Sequence, residues 1–433
     1  MMKRDIRSIR LNKDLFTGLF ILCLSFYYSI GVLWTGEVMT GSQTRLLWAI
    51  SLIAIFVSYL LVSGFRFPKF KKWFCVEYFA LLLFISFALF SASWAKNSNQ
   101  VVSRGSFVLK IIISGILISI MINSRKNVRS ILKSIEYGGD IAIIYTIAAN
   151  GLSSMIAMFL RGSRLSYTGT NSNVLGGVAA FSVVICIYFL TVEGWRISSL
   201  FAIPCMLIVI LSVSKKAIFA MFFGAFMYIV LINMNKKGFI KNMLKVVAII
   251  IVSAFALYFI LKLPFLAAVE QRVEAMFSGL AGGLSSSGID RSTMERLSLI
   301  ESGKTIIHKH PIIGVGLDNA RFYNTYGVYL HNNYLELMAD LGIVGAFLYY
   351  SVYLGILKNY VKYRNFIDKE YDICLTLLIL VLILDWGRVT YYDLETYYFI
   401  SLLLAESKNI ERGEKAIIPY TTQTHELDPV GLR

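Results

Sequence analysis

The chain has 433 residues, of which 57% are hydrophobic and 16% charged, and its net charge is +16. Soluble domains are roughly 45–50% apolar, and the apolar residues here form blocks of about 17–24, enough to cross a hydrocarbon core about 30 Å thick. This composition excludes an ordinary soluble domain and predicts an all-α polytopic membrane protein. A β-barrel would show short alternating strands instead.

Basic residues cluster between the apolar blocks, which is typical of positive cytoplasmic loops and does not indicate nucleic-acid binding. The clusters Lys3 to Lys13 and Lys408 to Lys415 predict that both termini are cytoplasmic. The first block lacks a small-residue cleavage site, so we expect a retained span. The five cysteines form no CxxC pair, which argues against a disulfide framework or a cysteine metal site.

In chain order, the pattern predicts twelve spans and one long extracytoplasmic loop before the third-from-last span. The spans are Leu15–Trp34, Leu46–Ser63, Trp73–Ser93, Phe107–Ile122, Asp140–Leu160, Val174–Leu190, Leu200–Val213, Ala217–Ile232, Val246–Leu263, Tyr334–Leu357, Asp372–Leu384 and Val389–Leu404. The predicted parts are nine N-terminal spans (1–263), the loop (264–333), three further spans (334–405) and a cytoplasmic tail (406–433). The end of the tail, from Pro419, fits a disordered or appended segment.

The stretch from Arg296 to Gly345 is unusually polar and contains three of the four histidines. A helical pattern opens it and is stopped by Pro311, Gly314 and Gly316, which predict a turn. The two glycines do not make a nucleotide motif, because the third glycine and the preceding strand are missing.

This topology places several basic residues on the outer side, where the positive-inside rule disfavours them. They are Arg164, Lys215, Lys216, Arg291, Arg296, His331 and Arg388. Basic residues at outer span ends indicate an anionic partner, such as a lipid-linked phosphate.

Each of these residues also has a plainer interpretation. Lys215 and Lys216 could snorkel to the interface from a tight turn between spans. Arg164 lies in a polar loop that could simply be solvated, although Asn173 there offers an amide for sugar or phosphate contact. Arg291 and Arg296 have acidic neighbours and fit a surface salt-bridge pattern.

His331 is the sharpest candidate for catalysis. It directly precedes a predicted span, and a neutral imidazole is well suited to accept a hydroxyl proton near pH 7. A lone histidine is more often structural, and His308 and His310 are interpreted that way, as caps of a helix end. A metal site formed by the three is disfavoured, since no carboxylate lies at ligand spacing.

Several sequence elements together resemble a known family, the O-antigen ligase and O-antigen or capsule polymerase superfamily of bacterial inner-membrane proteins. The elements are RLSYTGTNSN at 164–173, SVSKKA at 212–217, HPIIGVG at 310–316 and YLHNNYLELMADLGIVG at 329–345.

The resemblance implies a glycosyltransferase that uses an undecaprenyl-pyrophosphate-linked glycan on the outer face of the inner membrane. It implies an inverting reaction without metal or other cofactor. Carried over by position, Arg164, Lys215 and Arg296 would hold the pyrophosphate and His331 would be the base. The family usually has Arg where this chain has Lys215, and Lys216 could share that role.

The remaining site predictions complete this picture. Arg291 and Arg388 are expected to add to the pyrophosphate site. Asn332, Glu301, Asn173 and Glu336 are expected to support it.

Within the family, the full HPxxGxG and HNxYLE elements favour a polymerase, which adds the glycan to another lipid-linked repeat unit. The alternative is a ligase that transfers the glycan to lipid A-core or another carrier. A third interpretation, a lipid-linked glycan transporter, is disfavoured because the sequence has no internal repeat. The expected partners are the lipid-linked oligosaccharide, the bilayer and a chain-length regulator, with no nucleic acid.

Overall fold

The computed structural model describes residues 2–33, 42–67, 75–122, 125–161, 172–212, 214–233, 244, 262, 291–363 and 369–423. Within these ranges every regular element is a helix. The helices are α1 (Met2–Leu33), α2 (Ser42–Ser63), α3 (Val76–Phe90), α4 (Ser98–Met121), α5 (Arg125–Asn150), α6 (Leu152–Leu160), α7 (Ser172–Val192), α8 (Ala202–Leu211), α9 (Lys215–Asn233), α10 (Arg291–Lys309), α11 (Asn333–Lys362), α12 (Lys369–Leu384) and α13 (Leu394–Gln423).

Seven helices of the described residues are long and apolar enough to cross a membrane, or eight if the bent pair α5–α6 forms one span. Six of them lie within α1, α2, α4, α7, α9 and α11, and the other consists of α3 and the 3₁₀ turn Ser91–Ser93 that follows it. The prediction of an all-helical polytopic membrane protein is confirmed. The count of twelve spans stays a prediction, and the ninth predicted span, 246–263, lies almost wholly outside the described residues.

The fifth predicted span, Asp140–Leu160, differs from the structure. One helix, α5, already begins at Arg125, and a second, α6, follows Gly151 at an angle of 86°. Gly151 has φ of +73°, a left-handed conformation that only glycine adopts readily, and it ends α5. The apolar sequence continues across this turn, so hydropathy alone did not reveal the bend.

Ion pairs gather three basic segments at one end of the bundle. Arg196, before α8, lies 3.0 Å from Glu136 on α5, and Arg129 near the start of α5 pairs with Glu370 at the start of α12. With a cytoplasmic N-terminus, the alternation of the predicted spans puts all three segments on the cytoplasmic side. Segments on one side of a membrane must lie at the same end of the bundle, as these three do. That this end is the cytoplasmic one stays a prediction.

The opposite end of the bundle holds the polar stretch that follows α10. Arg104 near the start of α4 forms a salt bridge of 2.8 Å with Asp318, and Lys96 donates to the carbonyl of Phe322 at 3.1 Å. Because α4 has 24 residues and is therefore about 36 Å long, its start lies far from the basic segments at the other end.

The HPIIGVG segment docks into a break in α11. The helix is interrupted at Gly342, whose φ is +63°, and this leaves backbone groups without helical partners. The amides of Val315 and Gly316 donate to the carbonyls of residues 339 and 340 at 3.0 and 2.7 Å, and the amide of Ile343 donates to the carbonyl of Pro311 at 2.9 Å. The loop therefore completes the hydrogen bonding of a broken helix.

Glycine is required at both sides of this junction. A Cβ built on Gly342 would lie 2.2 Å from the carbonyl oxygen of Ile312, and one on Gly314 would lie 2.3 Å from the backbone of Asp340. The predicted turn at Gly314 and Gly316 is confirmed, with φ of +65° and +103°. The glycines of HPxxGxG (310–316) and of Asp340-Leu341-Gly342 are thus explained by close contact between the backbone of the loop and that of α11.

A small apolar cluster fixes α10 against this junction. It consists of Leu299, Ile306, Val315, Ala320, Leu330 and Ala339. Its members come from α10, the docked loop and α11, so the cluster holds the helix that carries Arg296 next to the residues that precede α11.

Candidate active site

His331 lies in the last turn before α11, with its side chain half-buried. Its φ is +58°, a left-handed conformation that is uncommon for residues other than glycine but in which His, Asn and Asp are enriched. Its ring packs on the ring of Tyr329, with a centroid separation of 4.3 Å. Uncommon backbone conformations of this kind concentrate at functional sites and persist only when the surroundings fix them.

Hydrogen bonds on both sides of His331 fix this conformation. Asn332 caps α11, since its side chain accepts a hydrogen bond from the amide of Leu335 at 3.1 Å. The amide of Leu330 donates to a carboxylate oxygen of Glu336, one turn into the helix. Glu336 is fully buried, and its second oxygen has no hydrogen-bond partner among the described residues.

Asn333 connects the start of α11 to the turn between α12 and α13. Its side-chain amide donates to Asp385 at 3.1 Å, and its oxygen accepts from the amides of Thr390 and Tyr391 at 2.9 and 3.1 Å. Thr390 also donates to Asp385 at 2.6 Å. These bonds hold the turn that carries Arg388 beside the segment that carries His331.

Two cations from other helices act electrostatically on His331. Lys216 is in the first turn of α9, and Arg296 is on α10. Lys216 lies against the turn between α12 and α13, because a Cβ built on Gly387 would be 2.8 Å from its Nζ atom. Among the residues that the structure describes, neither cation forms a salt bridge.

Burial and these two cations lower the pKa of His331 from 6.5 to about 4. Burial is the larger cause, and the charges of Arg296 and Lys216 follow. Both disfavour the imidazolium form. His331 is therefore neutral near pH 7 and has a nitrogen lone pair available for a proton.

Arg388 differs from the other two cations. It lies 2.9 Å from Asp393 and 3.1 Å from Glu395, so two carboxylates already balance its charge. Its predicted contact with pyrophosphate stays a prediction. The observed geometry suits a residue that stabilises the turn against which Lys216 packs.

The other predicted site residues are spread more widely. Arg164 lies outside the described residues, as do the side chains of Lys215 and Arg291. Glu301 is exposed on α10, where it pairs with Lys304 at 2.7 Å. Asn173 is half-buried at the start of α7. The structure therefore brings together His331, Asn332, Glu336, Lys216 and Arg296, with Arg388 beside them.

One acidic residue that holds the loop, Asp340, was not among the predicted site residues. The carboxylate of Asp340 accepts hydrogen bonds from three successive backbone amides, those of residues 318, 319 and 320, at 2.8, 3.0 and 2.8 Å. The hydroxyl of Tyr391 donates to it at 3.1 Å. The signal was present, because Asp340 follows Glu336 by one helical turn and faces the same way. In the described ranges, no group of three or more potential ligands could hold a metal ion.

These features define a class of protein, a multi-pass helical membrane protein. At one end of its bundle it has a histidine and two cations that form no salt bridge with the residues the structure describes. Residues 200–350, about a third of the chain, match the family model described as O-antigen ligase. The predicted resemblance to this family is confirmed for this segment. No curated protein matches the chain.

The matched segment contains most of the site. It includes Lys215, Lys216, Arg296 and His331, whereas Arg164 and Arg388 lie outside it. The family points in general to a glycosyltransferase-type enzyme of O-antigen biosynthesis, a lipid-linked substrate and a multi-pass bacterial membrane protein.

Proposed function

We propose that the protein is a polysaccharide polymerase of the bacterial inner membrane. It transfers a glycan from undecaprenyl pyrophosphate to a hydroxyl of another lipid-linked repeat unit, with inversion and without a metal ion. The site faces the extracytoplasmic side, and both termini are cytoplasmic.

One observation carries this proposal: Lys216 and Arg296 both act electrostatically on His331, and neither forms a salt bridge with a carboxylate of the described residues. Buried or half-buried cations normally have partners. A phosphorylated group bound from outside supplies the missing negative charge. Pyrophosphate accepts hydrogen bonds from both lysine and arginine.

The proposed glycan transfer needs only a base and cations, which His331, Lys216 and Arg296 supply. The acceptor hydroxyl oxygen attacks the anomeric carbon of the donor while His331 takes the hydroxyl proton. The bond between that carbon and the phosphate oxygen breaks, and its electron pair leaves with the pyrophosphate. Lys216 and Arg296 stabilise the developing negative charge, the largest contribution in many transfer reactions. A single displacement inverts the configuration at the carbon.

A ligase is the second candidate, favoured by the description of the matched family as O-antigen ligase. The two activities share the donor and differ in the acceptor. A ligase transfers the glycan to lipid A-core or another carrier, and a polymerase uses a second repeat unit.

The acceptor decides between the two candidates. We expect the purified protein to produce long glycan chains when lipid-linked repeat unit is the only substrate. The matched reaction contains the same donor and lipid A-core. Product on lipid A-core, with no chain growth from repeat units alone, would contradict the polymerase proposal and support a ligase. Turnover in detergent, without a gradient, also distinguishes an enzyme from a transporter.

A further inference from the structure

A cavity of about 320 Å³ lies at the end of the bundle that carries the HPIIGVG loop. Its wall consists of residues 310–315 of that loop, Trp94 from the connection between α3 and α4, and Tyr323 from the 3₁₀ turn that follows the loop. None of these residues belongs to the predicted pyrophosphate site. The volume lies at the lower end of the range for small-molecule sites, about 300–1,000 Å³.

Hydrogen bonds fix the connection between α3 and α4 to the loop and to the turn after it. The hydroxyl oxygen of Ser91 accepts a hydrogen bond from the amide of Leu317 at 2.9 Å. The amide of Asn97 donates to the side chain of Asn319 at 2.8 Å. Trp94 lies between these two anchors in the sequence. The cavity is therefore preformed, which lowers the cost of binding a ligand there.

Two aromatic side chains give the cavity flat apolar surface. The indole of Trp94 packs on the rings of Phe87 and Phe90, with centroid separations of 5.9 and 5.7 Å. Its nitrogen is buried, so this side chain offers carbon surface and no accessible donor. The exposed ring of Tyr323 is held by Lys96, whose Nζ atom lies 5.4 Å from the ring centroid.

The same cavity has polar groups that a ligand can reach. The side chains of His310 and Tyr323 are exposed, and neither the imidazole nor the hydroxyl forms a hydrogen bond with any residue that the structure describes. His310 directly follows α10, and its backbone amide donates to the carbonyl of Ile306 at 2.9 Å. Its ring is thus placed by the helix end and remains available at the cavity.

We propose that this cavity binds a sugar residue of the glycan, outside the pyrophosphate site. The inference rests on the proposed function, in which both substrates carry a glycan. Sugar rings have C–H faces, which pack on the electron-rich faces of aromatic rings, and hydroxyl groups at their edges, which form hydrogen bonds. A lipid chain in the same place would remove water from His310 and Tyr323 without replacing its hydrogen bonds.

The loop that forms much of the cavity wall also packs against the segment before His331. Val315 lines the cavity and belongs to the apolar cluster that contains Leu330, the residue before His331. The cavity wall and the candidate base are thus parts of one packed unit. The sugar in the cavity is not the one that reacts, so the cavity contributes to substrate binding and not to the chemical step.

Binding of free glycan tests the cavity without catalysis. The probe is the oligosaccharide released from lipid-linked repeat unit by mild acid, titrated into the full-length protein in detergent and followed by ligand-observed NMR. Trp94→Ala and Tyr323→Ala should each raise its Kd about tenfold or more. Trp94→Phe keeps an aromatic face and should stay within about threefold of the wild type. The matched control is Tyr326→Ala, which removes an exposed tyrosine that does not line the cavity and should leave Kd unchanged.

Kinetics give a readout that a defect in folding would not produce. In Trp94→Ala, KM for lipid-linked repeat unit should rise about tenfold or more, while kcat stays within about twofold of the wild type. Thermal unfolding verifies that each variant is folded. A fall in kcat with an unchanged KM would overturn the assignment of the cavity to substrate binding.

The outcomes separate this inference from the proposed function. No binding of free glycan by the wild type, or equal Kd in the wild type and both cavity variants, overturns the inference even if long chains are made. If Trp94→Ala loses affinity for undecaprenyl phosphate and not for free glycan, the cavity belongs to the lipid and the inference is also overturned. Glycan binding that depends on Trp94 and Tyr323 supports it. If the same protein neither extends nor transfers glycans, the proposed function fails while the sugar site stands.

Discussion

At the scale of single residues, the capacity of the site to bind an anion depends on which of its cations already pair with a carboxylate. The sequence pattern placed seven basic groups on the same side and treated them alike. The structure separates them, since Arg388 has two carboxylate partners and Lys216 and Arg296 have none among the described residues. Partner choice depends on how the turn between α12 and α13 folds, so position in the sequence could not reveal it.

Lys216 gives the first test at this scale. Its replacement by alanine removes a cation next to His331, and a hydrogen bond to a charged group contributes about 1.5–3 kcal/mol. We expect donor KM to rise about 10- to 100-fold, measured with lipid-linked repeat unit. Lys309→Ala, at the exposed end of α10, removes the same charge away from the site and should leave KM unchanged.

Lys215 provides a second test of the predicted contact between a lysine and the donor's pyrophosphate. Lys215→Ala should weaken use of the donor more than Lys215→Arg does, because arginine keeps the charge and matches the usual family residue. Equal losses in the two Lys215 variants, with a normal Lys216→Ala protein, would place the phosphate contact elsewhere.

At the scale of elements, the important unit is the broken helix α11 with the loop docked into its break. The loop supplies partners for backbone groups that the break exposes, and Asp340 holds three further loop amides. Sequence reasoning identified both motifs and the turn at Gly314. It treated the tenth span as continuous, because the apolar pattern of Tyr334–Leu357 passes through Gly342 without interruption.

Gly342→Ala tests this unit. The new methyl group would overlap the backbone of Ile312, and a positive φ is unfavourable for alanine. We expect a loss of about 1–3 kcal/mol in the free energy of unfolding, measured by thermal or denaturant unfolding in detergent. Chain growth should fall as well, because the loop positions the segment before α11.

The matched control is Gly177→Ala on α7. Apart from the glycine's own stretch of helix, no atom of the described residues lies within 4 Å of the added carbon. Alanine there favours the helix and should leave stability equal or slightly higher. Equal destabilisation by both substitutions would mean that the contact between loop and helix break contributes little.

At the scale of the whole molecule, composition alone predicted the all-helical membrane fold, and the family model agrees with the motif resemblance. Hydrophobic blocks report which segments enter the bilayer. They do not report bends such as that at Gly151, or the network by which Asn333 and Asp385 connect two helices distant in sequence. Those features follow from tertiary contacts.

The central claim is that His331, set among cations that hold a lipid-linked pyrophosphate, removes the proton of the acceptor. Substitution by Ala or Asn tests it, and Asn is the sharper variant because it is compatible with the observed φ of +58°. Both proteins should be folded and inserted in the membrane, as thermal unfolding and membrane fractionation can verify. The direct measurement is the length and rate of glycan chains made from lipid-linked repeat unit by purified His331→Asn protein. The account predicts at least about a 100-fold lower rate and no long chains, whereas chains of normal length at a near-normal rate would contradict it.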